Sequence, residues 1–331
     1  DTRIYQEAMK RGVEILPEKP KNRHIDVFSA YRLARKLKKE DISVLFLFVN
    51  KDIAFVSLLK KLFYRKLKVI CLQQMHFNVR KDDWLHTFRY ASINYWIAPL
   101  EYLKNQVLEK TRIPEQKLRV IPLSTDVRRF KEIRSSRRES LNILELDPRY
   151  PLIGILGRID PTKGQLFLVK AVKKLIALNH PVELLIMGSP TISNDSSYQY
   201  FDEIKNYIAD HQLGEYIHIH DFSENVTHFY NAIDWFAMAS RKETFGMVTI
   251  EAMLSGVPVL GANAYGTAEI LNHGELGALF EADDEDSFCE AYIELSSNKE
   301  KAEEMARKAQ KVAIKKYDYR EVCREIEQLI E

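Results

Sequence analysis

Cysteine is scarce in this sequence and nowhere clustered. Cys71, Cys289 and Cys323 are far apart and odd in number. That excludes a disulfide framework or a cysteine-built structural zinc site and points to a reducing compartment. Long apolar runs are missing as well: no stretch approaches the roughly 18–20 residues that a membrane span requires. The opening residues, DTRIYQEAMKRG, lack the pattern of a secretory leader, so a cytoplasmic location is expected. With only 12 Gly and 11 Pro in 331 residues, low-complexity and collagen-like chains are ruled out. No GxGxxG follows a strand-like run, which argues against a dehydrogenase. Gly261-Ala-Asn-Ala-Tyr-Gly266-Thr267 lacks the lysine of a P-loop.

What is present is the composition of a globular protein, 46% hydrophobic and 29% charged, with length enough for two domains. The net charge of +2 conceals an asymmetry. Residues 1–138 hold 31 Lys and Arg against 15 Asp and Glu, whereas the remainder holds 18 against 32. The first half is therefore expected to meet something anionic. Nucleic acid, a membrane leaflet and a phosphorylated substrate all satisfy that description.

Short apolar runs alternate with amphipathic stretches along the whole chain. Ser43–Val49, Leu67–Leu72, Tyr95–Ala98 and Leu118–Pro122 read as strands, separated by helices at Asp26–Lys39, Asp52–Lys66, Asp82–Ala91 and Leu100–Lys110. After a basic connection at Asp126–Arg138 the pattern resumes, with strands at Leu152–Leu156, Val182–Met187, Tyr216–His220, Trp235–Ala239 and Pro258–Gly261. Continuous apolar strands between helices of about a dozen residues imply parallel sheets covered on both faces. An α/β protein of two Rossmann-like domains follows, 1–125 and 126–331, facing across a cleft, with the last helix packing back on the first domain. Ligands of such sheets bind at the carboxyl ends of strands.

Two turns carry chemistry. In GILGRIDPTKGQLFLVKAV, strand Leu152–Leu156 runs into Gly157-Arg158. Thr162 and Gln165 have capping-box spacing, which predicts a helix from Thr162 with Lys163 in its first turn. A cation there opposes the helix dipole unless an anion lies between Arg158, Lys163 and the helix amides. On that reading Lys163→Gln leaves the ligand-free protein unchanged or slightly more stable, while diphosphate binding weakens. In the second turn, strand Trp235–Ala239 is followed by Glu243-Thr-Phe245-Gly246-Met247-Val248-Thr-Ile-Glu251 and a helix beginning near Gly246. Gly256 and Pro258 mark its stop. The amides of Gly246, Met247 and Val248 would face a phosphate. Glu251, about 6 Å along the helix at ~1.5 Å per residue, suits the vicinal hydroxyls of a ribose.

The segment Glu243-TFGMVTI-Glu251 followed by AMLSGVPV resembles the Glu-x7-Glu motif of family-4 retaining glycosyltransferases of GT-B fold. Gly157-Arg158 and Lys163-Gly164 are similar to that family's GRxxxxKG turn. IPLSTDVRRF (Ile121–Phe130) resembles its interdomain segment, with Leu123-Ser124-Thr125 in place of Asn-Gly-Val. The resemblance runs over essentially the whole chain, which opens at what corresponds to the family's second strand–helix unit, without its first strand and glycine-rich loop.

It implies transfer of a hexose, with retention, from a UDP- or GDP-linked sugar to a glycan or lipid-linked acceptor in cell-surface polysaccharide or glycolipid synthesis. No metal or cofactor is required. Catalytic roles fall to Arg158 and Lys163 at the leaving diphosphate, Glu243 at the donor sugar, and His76, which matches a first-domain histidine that reaches that sugar. Gly157, Phe245, Gly246, Met247 and Val248 would line the donor, Glu251 the ribose, and Phe222–Val226 the base. The basic first half then suggests a phosphate-bearing acceptor at an anionic membrane, with the protein peripheral on the inner face and no nucleic acid bound. A non-catalytic nucleotide-sugar-binding subunit is the alternative.

Other signals have plainer readings. Asp284-Glu-Asp286 reads as helix capping rather than a metal motif. His218 and His220 alternate on a strand without a third ligand. The basic amphipathic stretch Phe55–Lys68 either lies on a membrane or covers its sheet.

Overall fold

A computed structural model describes residues 3–15, 26–132, 136–191, 195–223 and 225–331. Contacts divide the chain into two units. One holds Asp1–Ala98, Leu103–Val120 and Leu329–Glu331; the other holds Pro99–Tyr102 and Ile121–Gln328.

The first unit is a parallel sheet of β1 (Val44–Leu47), β2 (Lys68–Leu72), β3 (Tyr95–Ala98) and β4 (Leu118–Val120), in that spatial order. Helix Val27–Lys39 is capped by Asp26, whose carboxylate accepts from the Ser29 amide at 2.9 Å. It buries Ala30, Ala34 and Leu37, the spacing of one helical face. Helix Ile53–Leu62 covers the sheet rather than presenting its apolar face: Ile53, Phe55, Val56 and Leu59 are all buried.

Several of this unit's cations are structural. Lys60 donates to Ser92 O (3.0 Å) and Asn94 Oδ1 (2.5 Å), Lys117 donates to Ala91 O (3.1 Å) and Ile93 O (2.6 Å), and Lys61 to Phe88 O. These carbonyls lie at or just past the end of helix Trp84–Tyr90, where cations complement the dipole. Burial, and then the field of Lys117, lower the Lys60 ammonium to about 8.

The second unit has a six-stranded parallel sheet: β5 (Leu152–Leu156), β6 (Glu183–Met187), β7 (Ile217–His220), β8 (Trp235–Met238), β9 (Val259–Ala262) and β10 (Ala278–Phe280). The spatial order is β10-β9-β8-β5-β6-β7. Strand side chains alternate strictly between two cores. Leu152, Leu156, Leu185 and Met187 enter one; Ile153, Ile155, Leu184 and Ile186 enter the other. The chain builds outward from β5 on one side, then returns to build from β8 on the other. The switch point therefore lies between β5 and β8, the place where sheets of this kind take ligands at the strands' carboxyl ends. Strand β10 has no counterpart in the sequence reading, because three residues give no periodicity to detect.

Two thiols are deeply placed. Burial pushes Cys71 up to about 12 and Cys289 up to about 11, whereas Cys323 is exposed. A thiol-specific disulfide reagent at neutral pH is therefore expected to titrate one cysteine per native chain and all three after denaturation. Fast reaction of a second thiol in the native protein would contradict this burial.

Candidate donor site at the switch point

The loops after β5 and β8 are stitched together. The Arg241 amide and the Ser240 hydroxyl both donate to Thr162 O, at 2.9 and 3.2 Å. Gly164 makes the approach feasible: a Cβ on it would lie 2.4 Å from Ala239 O, and its φ is +83°. Across this seam Lys163 Nζ lies 2.7 Å from Glu243 Oε2, with side chains 25% and 16% exposed. The two residues that the sequence assigns to phosphate and to sugar are thus already an ion pair.

The local structure at Lys163 departs from the capping-box reading. Helix Gln165–Ala177 begins with Gly164 in the N-cap position, not Thr162. Asp160 captures Thr162 instead, accepting from its amide at 2.9 Å and its hydroxyl at 2.6 Å. Such an Asx turn competes with helix capping for the same groups. The Leu166 amide is taken by the Tyr200 hydroxyl at 3.0 Å, and the Gln165 side chain turns back to Arg158 O at 2.8 Å. Lys163 therefore precedes the helix, and its partner is Glu243 rather than a destabilising dipole. The expectation that Lys163→Gln spares the ligand-free protein is corrected accordingly. Arg158 is exposed. Burial works to raise the Asp160 carboxyl, but the Thr162 bonds and the charges of Arg158 and Lys163 outweigh it and hold it below its ordinary value.

The second turn folds as its residues suggest. Helix Met247–Leu254 starts after Gly246 at φ +86° and ends before Gly256 at φ +73°, where the Gly256 and Val257 amides return to Met253 O and Ala252 O. Among the described residues no backbone carbonyl takes the amides of Met247 and Val248, which are half-buried at the helix start. Glu243 lies over this end, its Cγ 3.2 Å from where a Gly246 Cβ would stand. The Phe245 ring is buried edge-on to Tyr317, so only its backbone can serve a ligand.

Glu251 is one turn further along. Burial raises its carboxyl pKa, against the bond from the Tyr230 hydroxyl and the charge of Arg129. Neither Tyr230 nor Asp160 was singled out from sequence. Tyr230 sits in the apolar run before β8 and carries no signal that separates it from Phe229.

The loops after β6 and β7 complete the rim. A Cβ on Gly188 would stand 1.8 Å from Gly157 O, so the Gly157 turn rests directly on Gly188. Ser189 donates to Asp221 at 3.1 Å. Phe222 is 52% exposed, whereas the Val226 side chain belongs to the core. Of the stretch expected at the base, the Phe222 side chain is therefore open to a ligand and that of Val226 is not, and Glu224 lies outside the described residues. His76 is in the first unit, half-buried in the loop after β2, while the other named residues are in the second.

The plainer readings also find their partners. The Asp284 carboxylate caps helix Glu285–Ser296. His218 pairs with Glu183 at 2.6 Å. Among the described residues no group of three or more His, Cys, Asp or Glu side chains is arranged to hold a metal ion.

The model of the family described as "Glycosyl transferases group 1" matches residues 136–312, more than half of the chain and the whole of this site except His76. The chain belongs to the group 1 glycosyltransferases. The D-inositol 3-phosphate glycosyltransferase of Nocardia farcinica is 27% identical over 208 residues, 62% of this chain and 45% of that protein. The capsular polysaccharide biosynthesis glycosyltransferase CapM of Staphylococcus aureus is 25% identical over 240 residues, 70% of this chain and 60% of its own length. The matched stretch thus spans about half the length of these curated relatives. Among solved structures, Anabaena Alr3699/HepE in complex with UDP superposes with a TM-score of 0.81 at 17% identity, covering 100% of this chain and 89% of that one. The fold class is GT-B, as the family resemblance implies, and its α/β alternation is the one read along the chain.

Proposed function

We propose that the second unit binds a nucleoside-diphosphate sugar at the β5–β8 switch point, and that the protein transfers its hexose, with retention, to a glycan or lipid-linked acceptor. The Lys163–Glu243 pair, set beside the open amides of Met247 and Val248, carries this reading. It places a cation, a helix N-terminus and a carboxylate within one crevice. Arg158 and Lys163 neutralise the departing diphosphate, where fixed positive charge lowers the barrier most. Glu243 and the Gly157 and Phe245–Val248 backbone hold the donor sugar and its phosphate, Glu251 the ribose, and Phe222 with the backbone to Val226 the base. His76, to which the resemblance gives a role at the donor sugar, belongs to the first unit. A bound diphosphate competes with Glu243 for Lys163, which frees the carboxylate for sugar hydroxyls.

Names of the similar proteins support the substrate classes. One is bound to UDP, one acts in capsular polysaccharide synthesis and one takes a phosphorylated inositol. The basic excess of residues 1–138 favours a phosphate-bearing acceptor at the inner face of a membrane, through cations other than Lys60, Lys61 and Lys117. Among the described residues no helix is long and apolar enough to cross a membrane.

Calorimetry of the full chain with UDP, GDP and their sugars tests the proposal. Glu251→Ala is expected to weaken the free diphosphate and the nucleotide sugar alike, by about tenfold or more, since each charged hydrogen bond contributes about 1.5–3 kcal/mol. Glu243→Ala is expected to weaken mainly the nucleotide sugar. Absence of heat with every nucleotide rejects the reading, and equal losses for both variants on both ligands reject the separate roles of the two glutamates. Donor binding without transfer to any acceptor would favour the non-catalytic subunit.

A further inference from the structure

Tyr230 is a buried polar side chain in contact with the candidate site that the proposed chemistry does not use. It lies in helix Thr227–Ala232, between β7 and β8, and its ring is 1% exposed. Phe229, Phe236 and Phe130 surround it at centroid distances of 5.1, 5.8 and 6.3 Å. Its hydroxyl stands 3.0 Å from Val248 O and 3.0 Å from Glu251 Oε2. A phenol has one proton, so the two acceptors share it. If satisfying a buried hydroxyl were the only requirement, Val248 O alone would suffice. The second contact adds a restraint on a carboxylate.

We infer that Tyr230 is the positioning residue that aims Glu251 at the ribose of the nucleotide. This rests on the ribose role proposed above for Glu251. The aromatic cage fixes the phenol, which in turn fixes Glu251 Oε2 against the first turn of its own helix. No other described side chain donates to the Glu251 carboxylate. Oε1 is left as the acceptor for a vicinal diol, on a side chain whose rotamers have already been restricted before the ligand arrives. Preorganisation of this kind raises affinity by reducing what binding must still order. Burial, and then the adjacent Glu251 charge, push the Tyr230 hydroxyl well above its ordinary value, so it stays protonated and stays a donor. Arg129 supplies the nearby positive charge that favours the ionised carboxylate.

The test compares Tyr230→Phe, Glu251→Ala and wild type as full chains. UDP and GDP are each paired with their 2′,3′-dideoxy counterparts, which keep the base and diphosphate but offer Glu251 no hydroxyls. Tyr230→Phe is expected to weaken the ribonucleotide about tenfold, the equivalent of about 1.4 kcal/mol, and to leave the dideoxy form within about twofold. Glu251→Ala is expected to show the same pattern, more strongly. Unchanged dideoxy binding also reports that the phenylalanine variant folds and keeps its diphosphate site. Equal weakening of both forms by Tyr230→Phe would mean that the tyrosine only packs the core, and would overturn the inference. So would full ribonucleotide affinity in Tyr230→Phe when Glu251→Ala loses it. If Glu251→Ala weakens the ribo and dideoxy forms equally, or weakens neither, the ribose role of Glu251 fails, and the inference built on it fails for that separate reason.

Discussion

Lys163→Gln is expected to weaken nucleoside-diphosphate binding about 10- to 150-fold and also to destabilise the ligand-free protein by about 1–2 kcal/mol. The first effect is the loss of a charge-assisted bond of about 1.5–3 kcal/mol to the diphosphate. The second arises because Glu243, 16% exposed, loses its counter-cation at 2.7 Å and keeps a partly desolvated charge. The two effects separate in a double variant. Replacing both members by glutamine removes the orphaned carboxylate, so Lys163→Gln with Glu243→Gln should recover most of the ligand-free stability but none of the diphosphate affinity. Denaturant unfolding without ligand, and calorimetry with UDP and GDP, provide the two readouts. A double variant no more stable than the single one would show that the ion pair contributes nothing, and unaltered nucleotide affinity would remove Lys163 from the phosphate site.

Gly164→Ala is expected to cost about 2–5 kcal/mol and to abolish or severely reduce donor binding. Two physical terms combine. At φ +83° an L-residue with a Cβ carries about 1–2 kcal/mol of backbone strain. The new carbon would also stand 2.4 Å from Ala239 O, a backbone atom at the end of β8 that cannot swing aside. Overpacking of this kind adds about 1–3 kcal/mol. Relief requires the β5 and β8 loops to separate, which pulls Lys163 from Glu243 and displaces Thr162 O from Ser240 and Arg241. Gly214→Ala is the control: nothing lies within 4 Å of its added carbon, and it should change stability by no more than about 0.5 kcal/mol. Thermal unfolding of both variants, followed by nucleotide titration, decides the matter. Gly164→Ala with wild-type melting and binding would show that the seam between these loops is not tight.

The alternation of strand and helix was legible along the chain, and every observed strand except β10 matches an expected one to within two residues at either end. Apolar runs of β-branched and leucine residues have few other stable uses when helices flank them. The Gly246 start and Gly256 stop were legible because a positive φ selects glycine at helix ends. The cap at Thr162 was misread because capping depends on competition: Asp160, two residues upstream, offers Thr162 a closer partner than Gln165 does. The basic excess of the first half was legible as a count but not as a surface. Lys60, Lys61 and Lys117 turned out to hold backbone carbonyls rather than to await an anion.

By itself, then, the sequence determined what depends on near neighbours: the elements, their glycine-marked ends, and a spaced pair of glutamates at a helix start. The tertiary structure alone decided which of these meet. Lys163 and Glu243 stand 80 residues apart, and only the reversal of strand order between β5 and β8 brings their loops into one crevice. Tyr230 reaches Glu251 only because an aromatic core holds its helix against the helix that carries the carboxylate. Periodicity is a property of consecutive residues and is written along the chain, whereas a pairing across loops exists only after the sheet has set their positions.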